Sequence, residues 1–303
     1  MQSKTFINAF EDYLVYSSKR HKKQGYETHI RNFKNHILPY FKNVQDISKM
    51  KKSDIIDWQN NIIDKNFANK FNSNLYYTFS SFIKYCMLYD YISENIVLNA
   101  GNFTKKIERK DHEVYTLFEF RKFRKNLDNY IYKQFFNFIF FYGTRPSETL
   151  ALRFCDLKKN TVFINHTLHR RGKRELDTPK NQSSLRDLEI SYLMRFRIWK
   201  LKKIYLKQYG TFKDKYFLFG GEKPLSTSTL DRHKKKACEK AHIHEITQHE
   251  FRHSYATRMI HKGVSIDYVS RSMGHSKVSM TCDVYLHQEK RIRKRIPFIK
   301  KFF

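Results

Sequence analysis

Gln248-His249-Glu250-Phe251-Arg252-His253 admits two readings. Taken as His-x-x-Arg, positions i and i+3 put His249 and Arg252 on one helical face, an imidazole beside a permanent cation. Taken as His-Glu-x-x-His, the same residues match a zinc-protease signature, with His249 and His253 as ligands and Glu250 as base. A third, plainer reading makes them residues of a solvated helix surface. Three observations weigh against zinc: spacing alone places no third ligand, a strongly basic surface does not suit peptide substrates, and zinc assigns no role to Arg145 or Tyr285.

The charge around this segment is large. Of 303 residues, 59 are Lys or Arg and 29 are Asp or Glu, a formal net charge of +30 and a pI near 9.9. A polyanionic partner is the first expectation. The chain is not a disordered basic tail, because 27 Phe and 20 Tyr supply apolar surface worth burying. Its most apolar run, Phe135 to Tyr142, is far shorter than the ~20 residues of a membrane span. The N-terminus shows no charged-then-apolar signal pattern, so a cytoplasmic location is expected. Cys86, Cys155, Cys238 and Cys282 are far apart with no Cys-x-x-Cys pair, and read as reduced thiols rather than as a disulfide framework or thiolate zinc site.

Length favours two domains. Residues 1–105 carry 15 basic and 9 acidic side chains, net +6, which leaves 44 and 20, net +24, for residues 106–303. The first part reads as three to four helices without strands. Phe6, Ile7, Phe10, Tyr13 and Leu14 are spaced by three and four, as are Leu75, Phe79, Phe82, Ile83 and Cys86, and Ser53 looks like an N-cap for the helix through Trp58. Residues 99–112 lose periodicity and gain charge, and 106–112 reads as a linker. Beyond it, Thr116-Leu-Phe-Glu119 is a capping-box pattern, and a second helix over Phe135 to Tyr142 ends at Gly143. Thr161 to Thr167 and Arg186 to Ser191 alternate like strands of a small antiparallel sheet, and helical spacing returns from about Ser228, with Gly263 and Gly274 as stops. The fold class is therefore mainly α with a small antiparallel β-sheet.

Besides 248–253, three segments hold candidate chemistry. In Gly143-Thr-Arg145-Pro-Ser-Glu148, an arginine past a helix end can fork onto two phosphate oxygens while Glu148 holds its side chain, or can simply cap the helix. Thr178-Pro-Lys180-Asn-Gln-Ser-Ser184 is a polar turn between strands, where Lys180 is either a point charge reaching into a groove or one more solvated lysine. In Ser272-Met-Gly274-His275, the glycine releases His275 into a loop ten residues before Tyr285; by itself that tyrosine reads as core.

Together the segments resemble the tyrosine recombinase (phage integrase) family. Gly-x-Arg-x-x-Glu, a hairpin lysine, His-x-x-Arg, Gly-His and a later tyrosine occur in family order, as Arg145 with Glu148, Lys180, His249 with Arg252, Gly274-His275, and Tyr285. The match spans about Tyr115 to His287. The resemblance implies a helical core-type DNA-binding domain over 1–105, a linker over 106–112, and an α+β catalytic domain over 113–303. It does not extend to the further N-terminal domain with which many phage members bind accessory arm sites. It implies a site-specific recombinase in which Tyr285 attacks the scissile phosphate to form a 3′-phosphotyrosine, without ATP, cofactor or metal. Arg145 and Arg252 would clamp phosphate oxygens, Lys180 would protonate the departing 5′-oxygen, His249 would take the tyrosine proton and His275 would hydrogen-bond the phosphate. Lys173 and Arg174 are the alternatives to Lys180. The implied partner is double-stranded DNA, enclosed in a C-shaped clamp, with four protomers on two sites and a monomer or dimer when free. The basic tail Arg291 to Phe303 is either a frayed end or a segment that docks on a neighbour. Two rival classes stay open: a zinc hydrolase built on 249–253 and a DNA-binding regulator that forms no covalent adduct.

Overall fold

In the computed structural model, residues 3–21, 23–104, 113–168, 176–177 and 182–282 are described. The expected linker, Lys173, Arg174, Lys180, Tyr285 and the basic tail lie outside them. The chain divides into two compact units, Met1–Arg109 and Lys110–Phe303. Among the described residues no helix is long and apolar enough to cross a membrane.

The first unit is helical: α1 (Phe6–Arg20), α2 (Lys23–His36), α3 (Leu38–Phe41), α4 (Lys52–Asp64), α5 (Asn69–Leu88) and α6 (Ile96–Ala100). Four are long, as the periodicity predicts. The short α3 and α6 go beyond the expected three to four, because helices of four and five residues have no apolar repeat to read. Phe6, Phe10, Phe33, Phe79 and Phe82 are buried together, and Phe10 stacks on Phe33 at 4.1 Å between ring centres. Burying each such ring stabilises by roughly 1.5–3 kcal/mol. Trp58 is fully buried, and its indole N–H donates to the His36 carbonyl at 2.8 Å, so no polar atom of the ring is stranded. Ser53 is not the N-cap of α4. Lys51 holds that position in extended conformation and Ser53 lies inside the first turn; the carboxylate of Asp54 caps by accepting the Lys51 backbone N–H at 2.8 Å.

The second unit opens with α7 (Leu117–Lys125), and Thr116 and Glu119 form the expected capping box. Helix α8 spans Tyr130–Tyr142, a turn and a half longer at its start than read, because Asn129 accepts the N–H of Ile131 at 2.8 Å and caps it there. After α9 (Pro146–Ala151), β1 (Thr161–Ile164) pairs antiparallel with β4 (Arg186–Glu189), and β2 (Thr167–Leu168) with β3 (Leu176–Asp177). The run read as one strand over 161–167 is thus two, interrupted at Asn165 and His166. The sequence reading lacked α10 (Tyr192–Tyr209), capped by Ser191. Next come α11 (Thr227–Ala241), α12 (Gln248–His261) and α13 (Ile266–Met273). Helix α12 packs on α8 through Phe251 and Phe136, 5.0 Å apart, and Phe120 of α7 stacks on Phe140 at 3.8 Å. These contacts fix the base on which the site is built.

Candidate active site

The left-handed turn at Gly143 starts the site. It ends α8 with φ +65°, and a Cβ there would lie 2.3 Å from the Tyr255 ring of α12, so only glycine allows this approach. Arg145 follows as N-cap of α9, with Pro146 as the first helical residue. The spacing to Glu148 then has a geometric cause. At the third helical position the carboxylate turns back, accepting the Arg145 backbone N–H at 2.9 Å on Oε2 and Nη1 of the same arginine at 2.6 Å on Oε1. Arg145 is held further by its Nη1 donating to Ser184 Oγ at 3.2 Å and its Nη2 donating to the Gly274 carbonyl at 2.8 Å.

Arg252, on the second turn of α12, is 3% exposed. Its Nη1 is 3.9 Å from Glu148 Oε2, and among the described residues neither terminal nitrogen has a hydrogen-bond partner. Burial and the neighbouring Arg145 push its pKa well down, with Arg186 adding to the repulsion. Burial opposes the charge of Glu148 as well, but the guanidiniums of Arg186, Arg252 and Arg145 hold its carboxyl below the ordinary range.

Gly274, at φ +71°, ends α13 and sets His275 beside the arginines. The His275 N–H donates to the Ser270 carbonyl at 3.1 Å, and Nδ1 is 2.8 Å from Thr281 Oγ1. Burial first, then Arg252 and Arg145, depress its pKa to about 3. The imidazole is neutral at pH 7. Among the described residues, three guanidiniums face one carboxylate and a neutral histidine, which leaves two positive charges uncompensated.

Arg145, Glu148, Arg252 and His275 therefore come together. His249 lies exposed on the first turn of α12, one turn before Arg252. Lys180 and Tyr285 are outside the described residues. Arg186 is the residue the sequence reading missed as a site residue. It is the first of β4, and its Nη2 donates to Glu148 Oε2 at 3.0 Å, its Nε to the Ser272 carbonyl at 2.7 Å and its Nη1 to the Ser184 carbonyl at 2.9 Å. A signal existed: in β4 the buried residue is Leu188, so strand alternation puts Arg186 on the same inward face.

The zinc arrangement is not favoured by the geometry. Both oxygens of Glu250 are engaged, Oε2 by the Thr247 N–H at 2.6 Å and Oε1 by the Glu113 N–H at 3.2 Å, so the residue caps α12 rather than facing a metal-bound water. Among the described residues no three His, Cys, Asp or Glu side chains gather as a metal site.

A cluster of guanidiniums in a strongly basic, mostly helical unit suits a protein that acts on a polyanion such as DNA. The model of the phage integrase family matches residues 110–291, and that of the phage integrase N-terminal SAM-like domain matches residues 5–63. The chain belongs to the phage integrase family and is a site-specific tyrosine recombinase, an enzyme of DNA strand breakage and rejoining. It is 24% identical over 298 residues to the ICEBs1 integrase of Bacillus subtilis, covering 94% of this chain and 80% of that one. Among solved structures its fold matches the integrase of transposon Tn1549 in complex with a circular intermediate DNA, with TM-score 0.73, 19% identity, and coverage of 97% of this chain and 100% of that chain. It also matches a lambda integrase tetramer bound to a Holliday junction, with TM-score 0.71, 15% identity, and coverage of 93% and 78%.

Proposed function

We propose that the cluster of Arg145, Arg252 and His275 binds the scissile phosphate of duplex DNA, and that Tyr285 attacks it to give a 3′-phosphotyrosine and a free 5′-hydroxyl. The buried guanidinium of Arg252, with neither terminal nitrogen bonded among the described residues, carries this reading. A buried donor fork without a partner costs free energy until an anion arrives, and a phosphodiester supplies two non-bridging oxygens that match the fork. Arg145, aligned by Glu148, takes the other face of the same charge. As negative charge grows on those oxygens in the transition state, fixed cations in a water-poor site stabilise it without reorganising.

His275 is neutral, so it acts as a hydrogen-bond donor and not as a further cation. In the tautomer in which Nδ1 accepts from the Thr281 hydroxyl, the ring proton sits on Nε2, the nitrogen left for phosphate. Proton transfers complete the step: His249 accepts the Tyr285 hydroxyl proton as the new O–P bond forms, and Lys180 gives one to the 5′-oxygen as the old bond breaks. The reverse sequence with a partner's 5′-hydroxyl rejoins the strand. Residues 1–105 bind the core-type DNA sequence, and four protomers act on two sites, as the lambda integrase tetramer on its Holliday junction suggests.

The test is a nicked DNA site incubated with full-length protein and run on a denaturing gel. A covalent protein–DNA band is expected from wild type, and Arg252→Ala should lose it while still retarding the DNA on a native gel. A chain that binds but never forms the band is a regulator; one whose activity requires zinc is a hydrolase.

A further inference from the structure

We propose that Arg186 is a positioning residue that keeps Arg252 free for the scissile phosphate by occupying Glu148; this rests on the phosphate-binding reading of Arg252. A carboxylate has about four lone-pair sites, two on each oxygen. On Glu148, Oε1 receives Arg145 Nη1 at 2.6 Å, while Oε2 receives both the Arg145 backbone N–H at 2.9 Å and Arg186 Nη2 at 3.0 Å. Oε2 is therefore saturated. Arg252 Nη1, 3.9 Å from that same oxygen, lies beyond hydrogen-bond reach and has no hydrogen-bond partner among the described residues.

Arg186 can do this because its own fork cannot turn away. Its Nε and Nη1 are spent on the carbonyls of Ser272 and Ser184, one just before the Gly274 turn and one just before β4. Even a Cβ on Gly274 would come within 2.6 Å of its Nη1. Without Arg186, Oε2 has a free lone pair facing a buried guanidinium that has no hydrogen-bond partner among the described residues. A shift of about an ångström brings Arg252 to hydrogen-bond distance, where an ion pair in a low-dielectric site holds it. The arginine meant for the phosphate would then be spent on Glu148.

A double-mutant cycle on the full-length chain tests this, with single-turnover cleavage of a nicked DNA site as readout. Arg186→Met should cleave ~100-fold more slowly than wild type, in the range for a lost oxyanion donor, with native-gel binding of the site unchanged. In an Arg252→Ala background the same change should cost less than ~3-fold, because the residue it protects is gone. Arg186→Lys, which keeps the charge and a single donor group, should recover part of the rate. An equal loss from Arg186→Met in both backgrounds would mean a separate, merely structural role and overturns the proposal. Where Arg252→Ala is too slow to follow, a neutral methylphosphonate at the scissile position decides, because it removes the charge that Arg252 meets. Both single variants should then recover together; recovery of Arg252→Ala alone overturns the proposal. Should Arg252→Ala cleave ordinary DNA like wild type, the phosphate-binding reading itself fails, whereas a wild-type rate for Arg186→Met beside an inactive Arg252→Ala rejects only the role of Arg186.

Discussion

Glu148 and His275 meet the same guanidiniums with opposite results, one held charged and the other neutral. Breaking the first should be costly. Glu148→Gln leaves three buried or half-buried guanidiniums without their counter-charge and should lose about 3–5 kcal/mol of stability at pH 7, read from urea midpoints. For His275 the folded value of about 3 lies below its ordinary 6.5, so the unfolded chain binds the extra proton between them. Its contribution is complete above pH 6.5 and is lost as pH falls toward 3. The depressed carboxyl of Glu148 acts in the same direction at its lower pH. His275→Gln should therefore show a flatter decline of stability below pH 6.5 than wild type, and an identical slope would count against a buried neutral imidazole. The leaving-group proton offers a further check: Lys180→Ala should cleave ordinary DNA ~100- to 10,000-fold slower and recover on a substrate with a 5′-bridging sulfur, whose thiolate leaves without a proton. At this scale the sequence was informative where chain direction forces neighbours together. Arg145 meets Glu148 through a helix cap, and Gly274 delivers His275. Arg186 was hidden because its partners, Glu148, Ser184 and Ser272, come together only in the folded unit, and a lone arginine opening a strand announces none of them.

Elements show the same division. Helices with an apolar stripe, such as α1 and α5, were readable from spacing alone. Helix α10 was not, because Arg195, Arg197, Lys200, Lys202, Lys203 and Lys207 are interleaved with exposed Tyr192, Phe196 and Trp199, so its burial rests on a few positions such as Met194, Ile198, Leu201 and Tyr205. Ammonium groups lie over those exposed rings, Lys200 over Phe196 at 4.7 Å and Lys203 over Trp199 at 3.8 Å, which hides the apolar pattern in the sequence while covering it in the fold. The glycine turns give the element-scale prediction. Gly143 and Gly210 have similar positive φ, 65° and 69°, but a Cβ on Gly210 meets nothing within 4 Å while one on Gly143 runs into Tyr255. Gly210→Ala should cost only the left-handed backbone strain, ~1–2 kcal/mol. Gly143→Ala should cost clearly more and also slow cleavage, since Arg145 hangs from that turn. Equal urea midpoints for the two variants would contradict the close approach of α8 and α12.

For the whole molecule the charge distribution is the informative property, and it was visible before any fold: net +24 beyond residue 105 against +6 before it. Binding that rests on 6–10 phosphate contacts should weaken by roughly 10³–10⁵ between 50 and 200 mM salt, so a titration of site affinity against salt should be steep and linear on logarithmic axes. A shallow slope would leave the basic excess without a role in DNA binding. The local balance, two uncompensated charges around one carboxylate among the described residues, is not legible in the sequence, because it depends on which of 59 basic residues face inward. That balance is useful only if a nucleophile reaches the phosphate it holds. The direct measurement is covalent capture on a nicked DNA site by wild type and Tyr285→Phe, with native-gel binding in parallel. Equal binding and a denaturation-resistant adduct from wild type alone are expected; an adduct that persists in Tyr285→Phe would contradict Tyr285 as the nucleophile.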